Sequence, residues 1–74
     1  MWSCSDALAV ATCESTLQAD AYNAGSIGVF QIHEPSHRGR LRAGESLYDV
    51  AANVRIAYEI WLDQGWMPWA CKPW

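Results

Sequence analysis

The chain has 74 residues, which is enough for one domain with a single small core but not for two. Apolar residues make up 51% of it and charged residues 18%, a composition typical of an ordered domain. The formal net charge of −3 argues against a general nucleic-acid binder. No apolar run approaches the roughly 18 residues of a membrane span, and Met1 leads into domain-like sequence without a cationic, apolar leader. We therefore expect one domain over residues 1–74, without membrane insertion. Any export signal is expected to lie outside this sequence, or export happens by another route.

A short helix is the first predicted element. It begins near Ser3, whose hydroxyl can cap the backbone amide of Asp6, and it ends soon after Ser15. Small or apolar residues precede Glu14 at offsets of three, four and seven: Ala11, Val10 and Ala7. Glu14 thus shares the buried stripe near the helix C-terminus, where burial and the helix dipole favour the uncharged carboxyl that a general acid needs. The alternative is a helix-end glutamate that points to water.

The three cysteines suggest a disulfide in so small a domain. A bond between Cys13, at the end of the helix, and Cys71 would join the two ends of the chain and contribute about 4 kcal/mol. Cys4 would then be a free thiol, an intermolecular bridge, or the true partner of one of the others. The cysteines and His33 and His37 lack the paired spacing of a zinc site, so we expect no metal or cofactor.

The middle of the chain gives weaker signals. Residues 16–26 are predicted to be a connection, because Asn-Ala-Gly-Ser is typical of a turn. Residues 27–32 fit either a short strand or the first turn of a helix. Pro35 can open a helical turn. Residues 38–42 carry three of the five basic side chains and are expected to form a solvated loop, with weak attraction to an anionic polymer as the alternative.

The last third predicts a longer helix. Ser46 and Asp49 resemble a capping box, and Gly65 lies where a helix ends in a left-handed residue. Between them one apolar face recurs at offsets of three, four and seven: Leu47, Val50, Val54, Ala57, Tyr58 and Trp61. Pro68 prevents the helix from resuming, so residues 66–71 are expected to return to the first helix.

Five tryptophans suggest carbohydrate binding, because sugar rings stack on aromatic planes. Trp61 and Trp66 instead fall at core and helix-stop positions. Trp69 fits either role. Trp2 and Trp74 lie near the termini and are expected to be only partly ordered.

Four segments in a fixed order resemble the lysozyme superfamily, and more narrowly the soluble lytic transglycosylase and resuscitation-promoting-factor type of catalytic domain. They are Cys13-Glu14-Ser15, residues 28–32 (Gly-Val-Phe-Gln-Ile), residues 53–58 (Asn-Val-Arg-Ile-Ala-Tyr) and residues 65–71 (Gly-Trp-Met-Pro-Trp-Ala-Cys). The similarity runs from about residue 5 to residue 71. It implies a mainly α fold, with α+β possible: a compact domain of a few helices with at most a small β-hairpin, stapled by a disulfide.

The resemblance also implies roles for individual residues. The glutamate of the Glu-Ser pair is the single catalytic acid and base in that family, which is Glu14 here. The segment that contains Gly28, Phe30 and Gln31 would line the cleft, and Gln31 could hydrogen-bond an N-acetyl group or Glu14. Tyr58 is the candidate for the family's tyrosine near the acid, although Glu59 stands where an asparagine is usual.

Two further assignments follow from the same motifs. Ser15 and Trp69 join the expected substrate-binding residues. The family's bridge between the Glu-Ser helix and the tryptophan-rich tail supports a disulfide between Cys13 and Cys71.

The activity implied is cleavage of the β-1,4 bond between N-acetylmuramic acid and N-acetylglucosamine in peptidoglycan. A hydrolase usually has a second carboxylate. Asp20 is the nearest acid in sequence, with Glu34, Glu45 and Asp49 farther on, and none lies in a motif. Without a second acid, Glu14 can act as base on the sugar's 6-hydroxyl and close a 1,6-anhydro ring. The resemblance slightly favours this lytic transglycosylation, with muramidase hydrolysis close behind.

The alternative is a non-catalytic module that binds peptidoglycan in a phage or secretion assembly. A structural domain whose acid lies at a helix end by chance ranks last, because it leaves the order of the motifs unexplained. We expect an extracellular, cell-wall or virion-associated monomer whose partner is the peptidoglycan glycan strand.

Overall fold

Three α-helices and a three-stranded antiparallel sheet of two-residue strands form the structure, a computed structural model that describes residues 1–74. The elements in chain order are α1 (Cys4–Ser15), β1 (Tyr22–Asn23), β2 (Ser26–Ile27), β3 (Ile32–His33), α2 (Glu34–His37), a 3₁₀ turn (Arg38–Arg40) and α3 (Val50–Gln64). The predicted fold class is confirmed, with one strand more than a hairpin. None of the helices combines the length and apolarity that a membrane crossing requires.

Helix α1 agrees with its sequence prediction. The Ser3 hydroxyl accepts a hydrogen bond from the Asp6 amide at 3.3 Å. The helix ends where Thr16 adopts a left-handed conformation with φ of 53° and donates its N–H to the Thr12 carbonyl. The predicted stripe faces the core, with Ala7, Val10 and Ala11 all buried. Glu14 therefore lies on the last turn of a helix whose position is fixed by capping and packing.

The sheet resolves the ambiguous middle segment in favour of strands. Residues 16–26 are not only a connection, because β1 and the start of β2 lie within them. The two strands are joined by a two-residue turn in which Ala24 and Gly25 have φ values of 49° and 91°. Positive φ at both central residues is the mark of the type I′ turn, whose twist matches that of the flanking strands. The expected helical turn at Pro35 is present as α2.

Helix α3 begins later than its sequence predicts. Ser46 does not cap it: the Ser46 hydroxyl accepts from the Tyr48 amide at 3.1 Å in the preceding turn, and Asp49 is the N-cap without a side-chain bond. The predicted apolar face is also displaced, because Val50 is 51% exposed. The buried residues of α3 are Ala52, Asn53, Ile56, Ala57 and Ile60. The predicted stop is correct, since Gly65 has φ of 63° and donates its N–H to the Trp61 carbonyl.

Asn53 shifts the buried face of α3, because its side-chain amide is fully buried and both polar atoms of that amide are hydrogen-bonded. Its Oδ1 accepts from the Phe30 amide at 2.8 Å, and its Nδ2 donates to the carbonyls of Ile27 at 2.8 Å and Leu47 at 2.9 Å. A buried polar group is tolerated when its hydrogen bonds are satisfied. Gly28 is required beside it, because its φ is +79° and a Cβ there would lie 2.5 Å from Asn53 Nδ2.

Trp2 is not a loosely ordered terminal residue, contrary to the expectation from its position. Its ring stacks on Trp66 at 5.4 Å and on Phe30 at 5.4 Å, and it meets the Tyr58 edge at 5.1 Å. The first residues of the chain thereby close the aromatic part of the core. Trp74, by contrast, is 80% exposed.

The basic segment 38–42 is only partly a solvated loop. Arg38–Arg40 form the 3₁₀ turn, and Arg40 pairs with Glu59 at 3.3 Å and with Asp63 at 3.6 Å on α3. On the same helix Arg55 pairs with Glu45 at 2.6 Å. The hydrogen bond from Arg55 holds the pKa of the Glu45 carboxyl below its usual range. Much of the positive charge is therefore paired with acidic side chains of the protein itself.

Replacing Asn53 by alanine is expected to lower the free energy of unfolding by about 3 kcal/mol, because one buried donor and two buried acceptors lose their partner. Urea denaturation measures the change. Asn23→Ala is the matched control: it removes an exposed amide and should cost less than about 1 kcal/mol. Equal losses for the two variants would contradict the role given to Asn53.

Candidate active site

A cleft of about 380 Å³ opens beside the end of α1. Its lining residues come from α1, the sheet and the C-terminal tail: Glu14, Asn23, Ser26, Gln31, Pro68, Trp69 and Ala70. A second lobe of about 120 Å³ shares four of these residues and extends to His33 and His37. The sheet and the tail thus form the walls of one continuous groove, and Glu14 lies at one end of it.

Glu14 is half-buried and is held through one of its two carboxyl oxygens. Oε2 accepts a hydrogen bond of 2.9 Å from the Cys71 backbone amide, whereas Oε1 has no hydrogen-bond partner in the protein. The Cys13–Cys71 disulfide, next to Glu14 in sequence, is present with a Cα–Cα distance of 6.1 Å. It confirms the predicted pairing and leaves Cys4 as an exposed free thiol. The disulfide keeps the Cys71 amide within hydrogen-bonding distance of Glu14 Oε2. Glu14 Oε1 remains available.

Ser15 is buried and anchors the other side of the same turn. Its hydroxyl lies 2.7 Å from the Val29 carbonyl and 3.2 Å from the Ala11 carbonyl, and it can donate to either. The bond to Val29 ties the end of α1 to the turn between β2 and β3. Ser15 therefore holds Glu14 in place relative to the sheet and does not itself line the cleft.

Gln31 lines the cleft together with Glu14 but makes no hydrogen bond to it. Its Nε2 donates to the Gly28 carbonyl at 3.0 Å and to the Ala21 carbonyl at 3.3 Å, and its Oε1 accepts from Asn23 Nδ2 at 2.9 Å. The backbone at Gln31 has a φ of 51°, in the left-handed region. This side chain orders the turn and orients Asn23, so most of its hydrogen-bonding capacity is already used.

The remaining predicted site residues lie in different surroundings. Trp69 is 5% exposed, lines both lobes and donates its indole N–H to the Phe30 carbonyl at 2.8 Å. Gly28 and Phe30 are buried outside the cleft, under Asn53 and in the aromatic core. Tyr58 packs against Trp2 and Trp61 and does not line the cleft. The structure thus brings Glu14, Gln31 and Trp69 together, and it does not bring Tyr58 to them.

Sequence reasoning missed Asn23 and Ser26, which line the cleft on the sheet side. The signal was present in the turn Asn23-Ala-Gly-Ser26, which was recognised only as a connection. Residues that flank a two-residue hairpin turn lie opposite each other and project to the same face. Recognising a hairpin there would have placed both side chains on one surface.

Glu14 is the one acidic residue among those that line the two lobes. The other acids considered from the sequence lie outside the groove. Glu34 is 3.7 Å from Arg38, Glu45 pairs with Arg55, and Asp49 stands at the start of α3. Asp20, the nearest in sequence, is exposed in the loop after α1. No second carboxylate faces Glu14 across the cleft.

His37 is a titratable group in the second lobe. Partial burial, and then the positive charge of Arg40 and the neighbouring His33, lower the pKa of His37 below its usual value. These surroundings therefore favour the neutral form of the imidazole. No group of three or more His, Cys, Asp or Glu side chains is arranged to hold a metal ion.

The chain is thus a small disulfide-linked helical domain with a lone acid at a helix end, facing a groove walled by a short sheet. It belongs to the lysozyme-like family: the family model described as a lysozyme like domain matches residues 3–71. Membership connects the chain with peptidoglycan-related activity. Neither the curated proteins nor the solved structures gave a match to the chain.

Replacing both Cys13 and Cys71 by serine is expected to lower the free energy of unfolding by about 4 kcal/mol, because the cross-link closes a loop across a sequence separation of 58. Freeing the tail also removes the Cys71 amide from Glu14. Thermal or urea unfolding measures the stability. Cys4→Ser is the control, since that thiol is exposed and unpaired, and it should leave stability unchanged. A double variant as stable as the Cys4 variant would contradict the role of the disulfide.

Proposed function

We propose that the chain cleaves the β-1,4 bond between N-acetylmuramic acid and N-acetylglucosamine in peptidoglycan, with Glu14 as general acid and then general base. The observation that carries this proposal is that Glu14 is the only carboxyl group lining a cleft in a lysozyme-like domain. Its free oxygen, Oε1, is the atom available to a substrate, because Oε2 is occupied by the Cys71 amide.

In the first step, Glu14 donates its proton to the glycosidic oxygen and the bond from that oxygen to the sugar C1 breaks. Positive charge develops at C1, and the negative charge of the carboxylate left behind would stabilise it. The Cys71 amide stays hydrogen-bonded to Oε2 and stabilises the new negative charge on Glu14. One side chain thus supplies the acid, and a fixed backbone donor supports its conjugate base.

In the second step, Glu14 takes the proton of the 6-hydroxyl of the same N-acetylmuramic acid residue. The O6 atom attacks C1 and closes a 1,6-anhydro ring, so no water is consumed and Glu14 returns to its acid form. A hydrolase would instead direct a water molecule or a covalent intermediate with a second carboxylate. Because the groove contains no such group, we favour lytic transglycosylation over muramidase hydrolysis.

The disulfide and the peptidoglycan substrate together fit a site of action that is extracellular or periplasmic. Binding to peptidoglycan without cleavage is the competing function. It predicts that purified cell wall retains the protein while no muropeptide is released.

Glu14→Gln is expected to reduce muropeptide release about 10²–10⁴-fold, because the amide keeps the size of the side chain but cannot donate and recover a proton. The assay is chromatography of soluble fragments from purified sacculi. Asp20→Asn is the matched control, since it removes the nearest acid in sequence, which lies outside the cleft, and should retain activity. Unchanged release by the Glu14 variant, or an equal loss in the Asp20 variant, would overturn the assignment.

A further inference from the structure

A row of three polar side chains crosses the sheet on the side of the cleft. Asn23 on β1 lies opposite Ser26 on β2, and Ser26 lies opposite His33 on β3. Directly paired residues of antiparallel strands project to the same face, and neighbouring strands are about 4.8 Å apart, so the row is about 10 Å long. Asn23 and Ser26 line the main lobe, and Ser26 and His33 line the second. The row therefore runs along the groove away from Glu14.

Each member of the row keeps a polar atom that no protein group uses. The Gln31 amide is oriented by the carbonyls of Gly28 and Ala21, which both accept from its Nε2, so Gln31 Oε1 faces Asn23. Asn23 must therefore donate to Gln31 Oε1 through Nδ2. This leaves Asn23 Oδ1 without a partner. The Ser26 hydroxyl has no hydrogen bond within the protein. His33 binds the Ser36 hydroxyl through Nδ1 at 2.9 Å, and its Nε2 is free.

The chemistry of the groove indicates the kind of ligand that this row suits. The free atoms of the row belong to an amide, a hydroxyl and an imidazole, and no lysine or arginine lines either lobe. Pro68 and Trp69 give the same lobes an apolar wall. A sugar with hydroxyl and acetamido groups and apolar ring faces fits both surfaces, whereas a phosphate or a polyanion would find no cation.

We propose that Asn23, Ser26 and His33 form a glycan-binding row that holds the N-acetylated sugars of the strand through their acetamido and hydroxyl groups. The row would extend substrate contact from Glu14 along the sheet into the second lobe. This inference rests on the proposed function, because it assigns the residues that place the glycan for Glu14.

The test uses the N-acetylglucosamine tetramer and measures its affinity by isothermal titration or NMR in the Glu14→Gln protein, in which cleavage is expected to be about 10²–10⁴-fold slower. Adding Asn23→Ala, Ser26→Ala or His33→Ala is expected to weaken binding about three- to tenfold each, the loss of one hydrogen bond. Tyr22→Ala is the matched control: Tyr22 neighbours Asn23 on β1, is 59% exposed and lines neither lobe. It should leave the affinity unchanged.

The outcomes separate this inference from the cleavage proposal. If the row variants bind the tetramer as tightly as the Glu14→Gln parent, or if that parent does not bind it, the proposed glycan-binding row is wrong, even where the wild type cleaves peptidoglycan. If binding depends on the row while the wild type releases no muropeptide, the proposed cleavage is wrong and the glycan-binding row is supported. In an active wild type, the row variants should raise KM more than they lower kcat.

Discussion

The structure depends on one buried amide. A chain of 74 residues buries too little apolar surface to order its short strands by packing alone, and sheets of two-residue strands have little stability of their own. Asn53 supplies what packing does not, because it binds Ile27, Phe30 and the turn at Leu47 from a single position on α3. The ordered Phe30 carbonyl then receives the Trp69 indole. The two walls of the groove are therefore connected through the residues that Asn53 holds.

Glu14 is placed by contacts on both of its sequence neighbours. Ser15 ties the end of α1 to the sheet through the Val29 carbonyl, and Cys13 ties it to the tail through the disulfide. The tail in turn brings the Cys71 amide to Oε2. In the proposed function, the Cys-Glu-Ser sequence thus carries one group for the chemistry, Glu14, and two residues that hold it in position.

Features of the fold that depend on local chemistry could be predicted from the sequence. The Ser3 cap, the buried stripe of α1, the Gly65 stop and the disulfide were all predicted, because capping and backbone conformation depend on nearby residues and the disulfide followed from a motif. Features that depend on distant partners were missed. In the sequence, Asn53 resembles a surface residue, because its three backbone partners cannot be recognised there. A stripe made only of apolar residues therefore predicted the wrong face of α3. Trp2 is near the terminus in sequence but central in space.

In the proposed function, one carboxyl group cleaves the glycan without a second acid and without consuming water. Digestion of purified peptidoglycan in oxygen-18-labelled water, followed by mass spectrometry of the new muramic acid ends, shows whether water enters the product. We expect 1,6-anhydro ends that lack the label and are one water lighter than hydrolysed ends. Reducing ends that carry one labelled oxygen would contradict this expectation.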